Sequence, residues 1–179
     1  ISSRKKCHSP DPVKDLHYHV ARLKDPMPPV FTLIDGIYSL ERGPVFNSRA
    51  HRTHVLVASH DIFSGDKVGA TLLGHSPLKL GHLVHAAENS GRPTTLEGVW
   101  RVGRKIEEVI APLARQPPYT EDETNPAGYE KMGIKGLSYR KYDTTICTYC
   151  SGISILTAMS IPMAWKGEAW EDIEILSGK

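Results

Sequence analysis

Apolar residues fall in short runs separated by turn-forming residues, and the spacing inside the runs switches along the chain. Val30-Phe31-Thr32-Leu33-Ile34 is a β-branched and aromatic run closed by Asp35-Gly36, and His54-Val55-Leu56-Val57-Ala58-Ser59 is a second, closed near Asp61. Both predict buried strands, joined by turn chemistry at Glu41-Arg42-Gly43-Pro44 and a polar connection to Thr53. Beyond Asp61, Ile62, Val68, Leu72 and Leu73 recur at helical spacing, and Gly74 is a natural stop. Pro77 opens a second helical pattern through Leu78, Leu80, Leu83, Val84 and Ala87, ended by Gly91-Arg92-Pro93. Strand, loop, strand, helix predicts an α/β fold with helices packed on a mixed sheet.

The rest of the chain is patterned less sharply. Residues 1–29, rich in His, Lys, Asp and Pro, predict loop with a short helix around 13–23. Residues 96–102 alternate weakly, as a strand would, and 106–113 continue as helix or extended chain. Residues 116–128, with Pro, Glu, Asp and Thr, read as a linker between an α/β core over 1–115 and a C-terminal segment over 129–179. There an irregular stretch runs to Asp143, followed by strand-like Thr144-Thr145-Ile146, a helix over 153–164 despite Pro162, and a strand over 172–176. The expectation is a single domain with a cysteine-bearing C-terminal extension.

Composition narrows the function classes. The 179 residues, 40% apolar, supply a core and argue against intrinsic disorder. A net charge of +2, from 22 Lys and Arg against 20 Asp and Glu, gives no global basic field for nucleic acid. Any anion site must then be local, with Arg4-Lys5-Lys6 as one basic cluster. The most apolar stretch, 153–165, is about half as long as a bilayer span requires, so no membrane is expected. Three cysteines are too few, and odd in number, for a secreted disulfide framework, which favours a reducing, cytoplasmic compartment. The chain opens on Ile1-Ser2-Ser3 and closes on Ser177-Gly178-Lys179 straight after a strand-like run, so it reads as a fragment whose missing metal ligands lie beyond its ends.

Cys147-Thr148-Tyr149-Cys150 stands where a strand-like run meets a helix-like one, and Cys7 lies beside His8 at the other end. Two thiolates at this spacing can grip one metal ion, but a closed tetrahedral site needs four ligands. Three readings stay open: iron–sulfur or zinc ligation, a redox-active dithiol at a helix N-terminus, or packing as small hydrophobes. All nine histidines lie in the first 85 residues. His17 and His19 would share a face on a strand, and His82 and His85 lie one helical turn apart, although ordinary surface histidines fit both pairs. Asp35 and Asp61 stand just beyond the predicted strands, where open α/β sheets place a ligand crevice, and Asp66 follows in the next helix. The competing reading is a set of strand-end turns and helix N-caps.

Taken together, Ile34-Asp35-Gly36-Ile37, Gly43-Pro44, Val57-Ala58-Ser59 with Asp61, Asp66 and Gly74 resemble the motifs of a large prokaryotic family, domain of unknown function three-six-two. Arg4, Lys6 and His8 are similar to its upstream basic segment, and the likeness covers roughly residues 1–110. Arg42 stands where glycine is usual, Ile62 where proline is, Gly65 where alanine is, and Arg4 where lysine is. The resemblance implies an iron–sulfur context, and no particular reaction. The motif positions give Lys6, His8, Asp35, Gly36, Gly43, Asp61 and Asp66 as ligand-binding candidates, while the Cys-x-x-Cys spacing, outside the likeness, gives Cys147 and Cys150 as metal ligands with Cys7 as a third. The first functional expectation is therefore an iron–sulfur protein, 4Fe–4S or alternatively zinc, with a redox-linked role and redox partner proteins. The alternatives are a metal-independent small-molecule enzyme or binding domain holding a small anionic ligand at the strand ends, and a structural module.

Overall fold

The computed structural model describes residues 11, 13–42, 48–114, 118–142 and 148–177, the side chains of 148 and 149 excepted. The chain mixes helices and strands, as the periodicity predicts, and divides into two compact units. One comprises residues 1–39 with 50–113, the other 40–49 with 114–179.

The first unit begins with helix α1, Leu16–Ala21, whose Asp15 cap accepts the Tyr18 amide. Strands β1, Thr32–Glu41, and β2, Arg49–Ser59, follow and pair with each other. Ser39 meets Thr53 while Gly36 meets Val55, so the residue numbers run in opposite directions and the pair is antiparallel. Both strands are longer than the apolar runs that announced them, because backbone pairing carries the ladder on through polar positions. Helix α2, Ile62–Leu72, then packs its small side on β1: a Cβ on Gly69 would stand 3.3 Å from Ile34 Cδ1. Its other side carries Phe63 into a core with Ala21 and with Leu83, Ala86 and Ala87 of helix α3, Gly81–Ser90. Gly91, at φ 60°, closes α3 in the left-handed conformation.

Two expectations fail in this unit. Residues 96–102 form no strand: Val99 donates to the Leu96 carbonyl in a turn, and Gly98 and Gly103 take positive φ, which breaks the alternation. His17 and His19 lie on helix α1 rather than on a strand, so they do not share a face.

In the second unit, residues 118–128 are ordered by their own polar groups. Thr120 donates to Asp122 and the Thr120 amide to the Asn125 carbonyl, and Tyr119 bridges Pro126. Helix α4, Ala127–Met132, and strand β3, Leu137–Tyr139, occupy the stretch read as irregular. Helix α5, Thr148–Ala164, precedes β4, Ile173–Ile175, which pairs in parallel with β3. The strands thus form two separate two-stranded sheets among the described residues. Tyr129, Leu137, Tyr139 and Ala158 make the core here.

Pro162 inside α5 has a structural answer. Proline has no N–H, so the carbonyl four residues earlier, that of Ala158, loses its helical donor. The buried Tyr129 hydroxyl donates to that carbonyl at 2.7 Å. Tyr129→Phe is expected to cost about 1–3 kcal/mol by leaving a buried acceptor unpaired. In a Pro162→Ala background, which restores a helical amide, the cost should shrink, and urea unfolding of the single and double variants reads the difference. Equal cost in both backgrounds would show that Tyr129 does not serve the proline gap.

Candidate functional site

A cleft of about 470 Å³ opens along β2 in the first unit. One wall is residues 54–61, the floor is Ser64, Gly65, Val68 and Leu72 of α2, and the opposite wall is residues 98–104, with Ile106 and Val109 behind. The β2–α2 junction places polar groups at one end. Asp61 caps α2, its Oδ2 accepting the Ser64 amide at 3.1 Å and the Ser64 hydroxyl at 2.6 Å, and Arg92 Nη2 donates to the same oxygen at 2.6 Å. Arg92 also bonds Ser64 Oγ at 2.9 Å. Burial works against the Asp61 charge, but Arg92 and Ser64 together outweigh it and hold the carboxyl well below the usual range.

A folded-state pKa below the unfolded one gives stability that is present above the unfolded value, near 4, and is lost as pH falls through the acid range. Asp61→Asn, which keeps an N-cap acceptor and removes only the charge, is accordingly expected to lower stability at pH 7 by about 0.5–1 kcal/mol, the worth of a part-exposed ion pair. The gap between variant and wild type should close on acidification, as followed by thermal unfolding from pH 7 to pH 3. A gap independent of pH would remove the charge from the account.

On α2, Lys67 is 1% exposed, its Nζ donating to the Pro93 and Thr95 carbonyls at 3.0 and 2.8 Å. Burial, then the neighbouring Arg92 charge, pull its pKa down. Lys67 and Arg92 lie over the Phe63 ring at 4.6 and 5.1 Å from its centroid. These bonds pin the backbone that leads into the 98–104 wall. Sequence reasoning passed over both residues. The available signal was Lys67 four residues after Phe63, hence on the same helical face.

Of the sequence candidates among the described residues, only Asp61 lines the cleft. Asp35 lies inside β1, not beyond it, and its carboxylate accepts the Ile37 amide. Thr32 and Ile34 turn toward α2, so Asp35, one residue out of phase, is exposed on the opposite face and does not converge with Asp61. Gly36 serves close strand approach, since a Cβ there would stand 2.9 Å from the Val55 carbonyl oxygen. Asp66 is exposed on α2 and coupled electrostatically to His82, outside the cleft. Lys6, Cys7, His8, Gly43 and Cys147 lie outside the described residues. Cys150 is half-buried in the first turn of α5 and is not part of a disulfide. Among the described residues no three His, Cys, Asp or Glu side chains converge to hold a metal ion. Nor is any described helix long and apolar enough to cross a membrane.

The histidines of α1 and α3 interleave. His17 stacks on His82 with centroids 6.1 Å apart, and His85 lies edge-on to Tyr18, 3.4 Å from Glu88 and 3.8 Å from Asp15. They fasten the two helices together.

No family model matches the chain, and no curated protein or solved structure is significantly similar to it.

Proposed function

We propose that the first unit is a binding domain whose cleft along β2 takes a ligand with an apolar body and an anionic group. The observation that carries this reading is the cleft itself, whose volume of about 470 Å³ lies within the range of ligand sites. Its floor is apolar through Val68 and Leu72, and Arg101 and Arg104 stand on the far wall. The one lining carboxylate, Asp61, is already neutralised by Arg92. Arg104 has only a loose, exposed pairing with Glu108 at 3.9 Å, which leaves it open to an anion. Octanoate is a suitable probe. It should shift the emission of Trp100, which is 89% exposed on the cleft wall, in a saturable way. The shift should be lost in Arg101→Glu/Arg104→Glu and in the cleft-filling Val68→Phe. A shift that neither variant changes would discard the reading.

A second reading gives Cys147 and Cys150, with Cys7, to an iron–sulfur cluster or zinc. Cys150 in the first turn of a 17-residue helix supports it, because the amide dipoles there favour thiolate. The resemblance to domain of unknown function three-six-two points the same way, as does a cysteine count that fits a reducing cytoplasm. A bound cluster would supply one-electron transfer to partner proteins. Anaerobic reconstitution with iron and sulfide tests this: Cys147→Ser and Cys150→Ser should each lower bound iron. Equal iron in both variants and wild type would remove these residues from the metal site.

A further inference from the structure

The geometry points to an extended, acidic peptide segment of a partner protein as the cleft's ligand, added as a strand to the edge of β2 that is unpaired among the described residues; this rests on the cleft being a binding site. We infer it from how the cleft is lined. A sheet face presents alternate residues, whereas eight consecutive residues of β2 and its end, 54–61, line this groove. The groove therefore runs along the strand's edge, where backbone N–H and C=O groups point. β1 occupies the other edge, and among the described residues no backbone hydrogen bond joins 54–60 to the 98–104 wall. Such an edge is a template for strand addition.

The side chains around the edge choose the sequence of the segment. Leu56 is 61% exposed on the outer face, and Trp100 and Val102 are 89% and 79% exposed across the groove. An incoming strand would turn apolar side chains, at every second position, onto the Val68 and Leu72 floor, and the aliphatic stems of the residues between would cover these three. Arg101 and Arg104 on the same wall are complementary to acidic residues at the positions between. The span of 54–61 accommodates about eight residues of extended chain.

The test uses a labelled synthetic peptide of about eight residues alternating valine and glutamate, read by anisotropy and by Trp100 emission. Saturable binding is expected, weakened by Arg101→Glu/Arg104→Glu. Two N-methylated versions separate edge pairing from simple burial. Because alternate amides of a strand face opposite sides, methylating one alternate set should weaken binding by about tenfold or more, and methylating the other should leave it unchanged. Equal binding by both methylated peptides and the parent overturns strand addition and leaves the cleft reading intact. Octanoate binding without peptide binding overturns the peptide alone, and binding of neither probe overturns both. Self-association that blocks the peptide would replace the partner by a second copy and overturn the choice of occupant.

Discussion

Phe63→Ala is expected to cost about 3–5 kcal/mol, the range for truncating a buried phenylalanine. The ring is 2% exposed and touches a core made otherwise of small residues, Ala21, Ala86 and Ala87, with Leu83. Alanines have no side chain with which to reach into the vacated volume, so the site cannot collapse and the cavity remains. The ring also carries three cations: Lys67 at 4.6 Å, Arg92 at 5.1 Å and Lys24 at 5.7 Å from its centroid. Truncation leaves the buried Lys67 without that face, which adds to the packing loss. Against a total stability of about 5–15 kcal/mol this is a large fraction. Urea unfolding followed by circular dichroism measures it, and amide exchange should show the loss in α1, α2 and α3. A cost under about 1 kcal/mol would mean that the helices do not depend on this ring.

Gly136→Ala is the second large effect, in the other unit. Gly136 takes φ 70°, and a Cβ there would stand 1.9 Å from the Trp170 carbonyl oxygen and 2.7 Å from its carbon. No side-chain rotation relieves contact with backbone, so residues 170–173 must shift away. That shift breaks the bonds that set the β3–β4 register, Trp170 amide to the Lys135 carbonyl and Ile173 amide to the Gly136 carbonyl. Left-handed strain of about 1–2 kcal/mol and overpacking of about 1–3 kcal/mol add to roughly 2–5 kcal/mol. Emission from Trp170, beside the displaced carbonyl, should change along with stability. Gly128→Ala, in α4 with no atom within 4 Å of an added Cβ, is the matched control and should be near neutral or slightly stabilising. Equal behaviour of the two variants would refute the clash.

Much of the first unit was legible before any coordinates. The apolar run ending at Ser59, the cap potential of Asp61, the apolar spacing of α2 and the glycine at 91 are local signals, and the elements follow them. Asp61 shows how a correct position can carry an incomplete role. Its place at the strand end was readable, but its partner Arg92 lies 31 residues on and carried no signal beyond a turn. At Asp35 the local signal is ambiguous, because a polar residue after an apolar run reads equally as the strand's end or as its outward-facing position. Pairing with β2 carried the strand on through Glu41, and the alternation turned Asp35 outward. Residues 118–128 carry a related lesson: Thr and Asp side chains that look like loop composition spend their hydrogen bonds on one another in an ordered turn.

The sequence by itself determined the α/β class and the caps and periodicity of the helices around the cleft, because these depend on residues within a turn or two of each other. The tertiary structure alone decided that Lys67 is buried against carbonyls 26 and 28 residues away, that Tyr129 covers a proline gap 29 residues away, and that β2 keeps one edge beside a cleft. Each of these joins groups distant along the chain, and local spacing does not encode which of many polar groups a folded chain will bring within hydrogen-bonding reach.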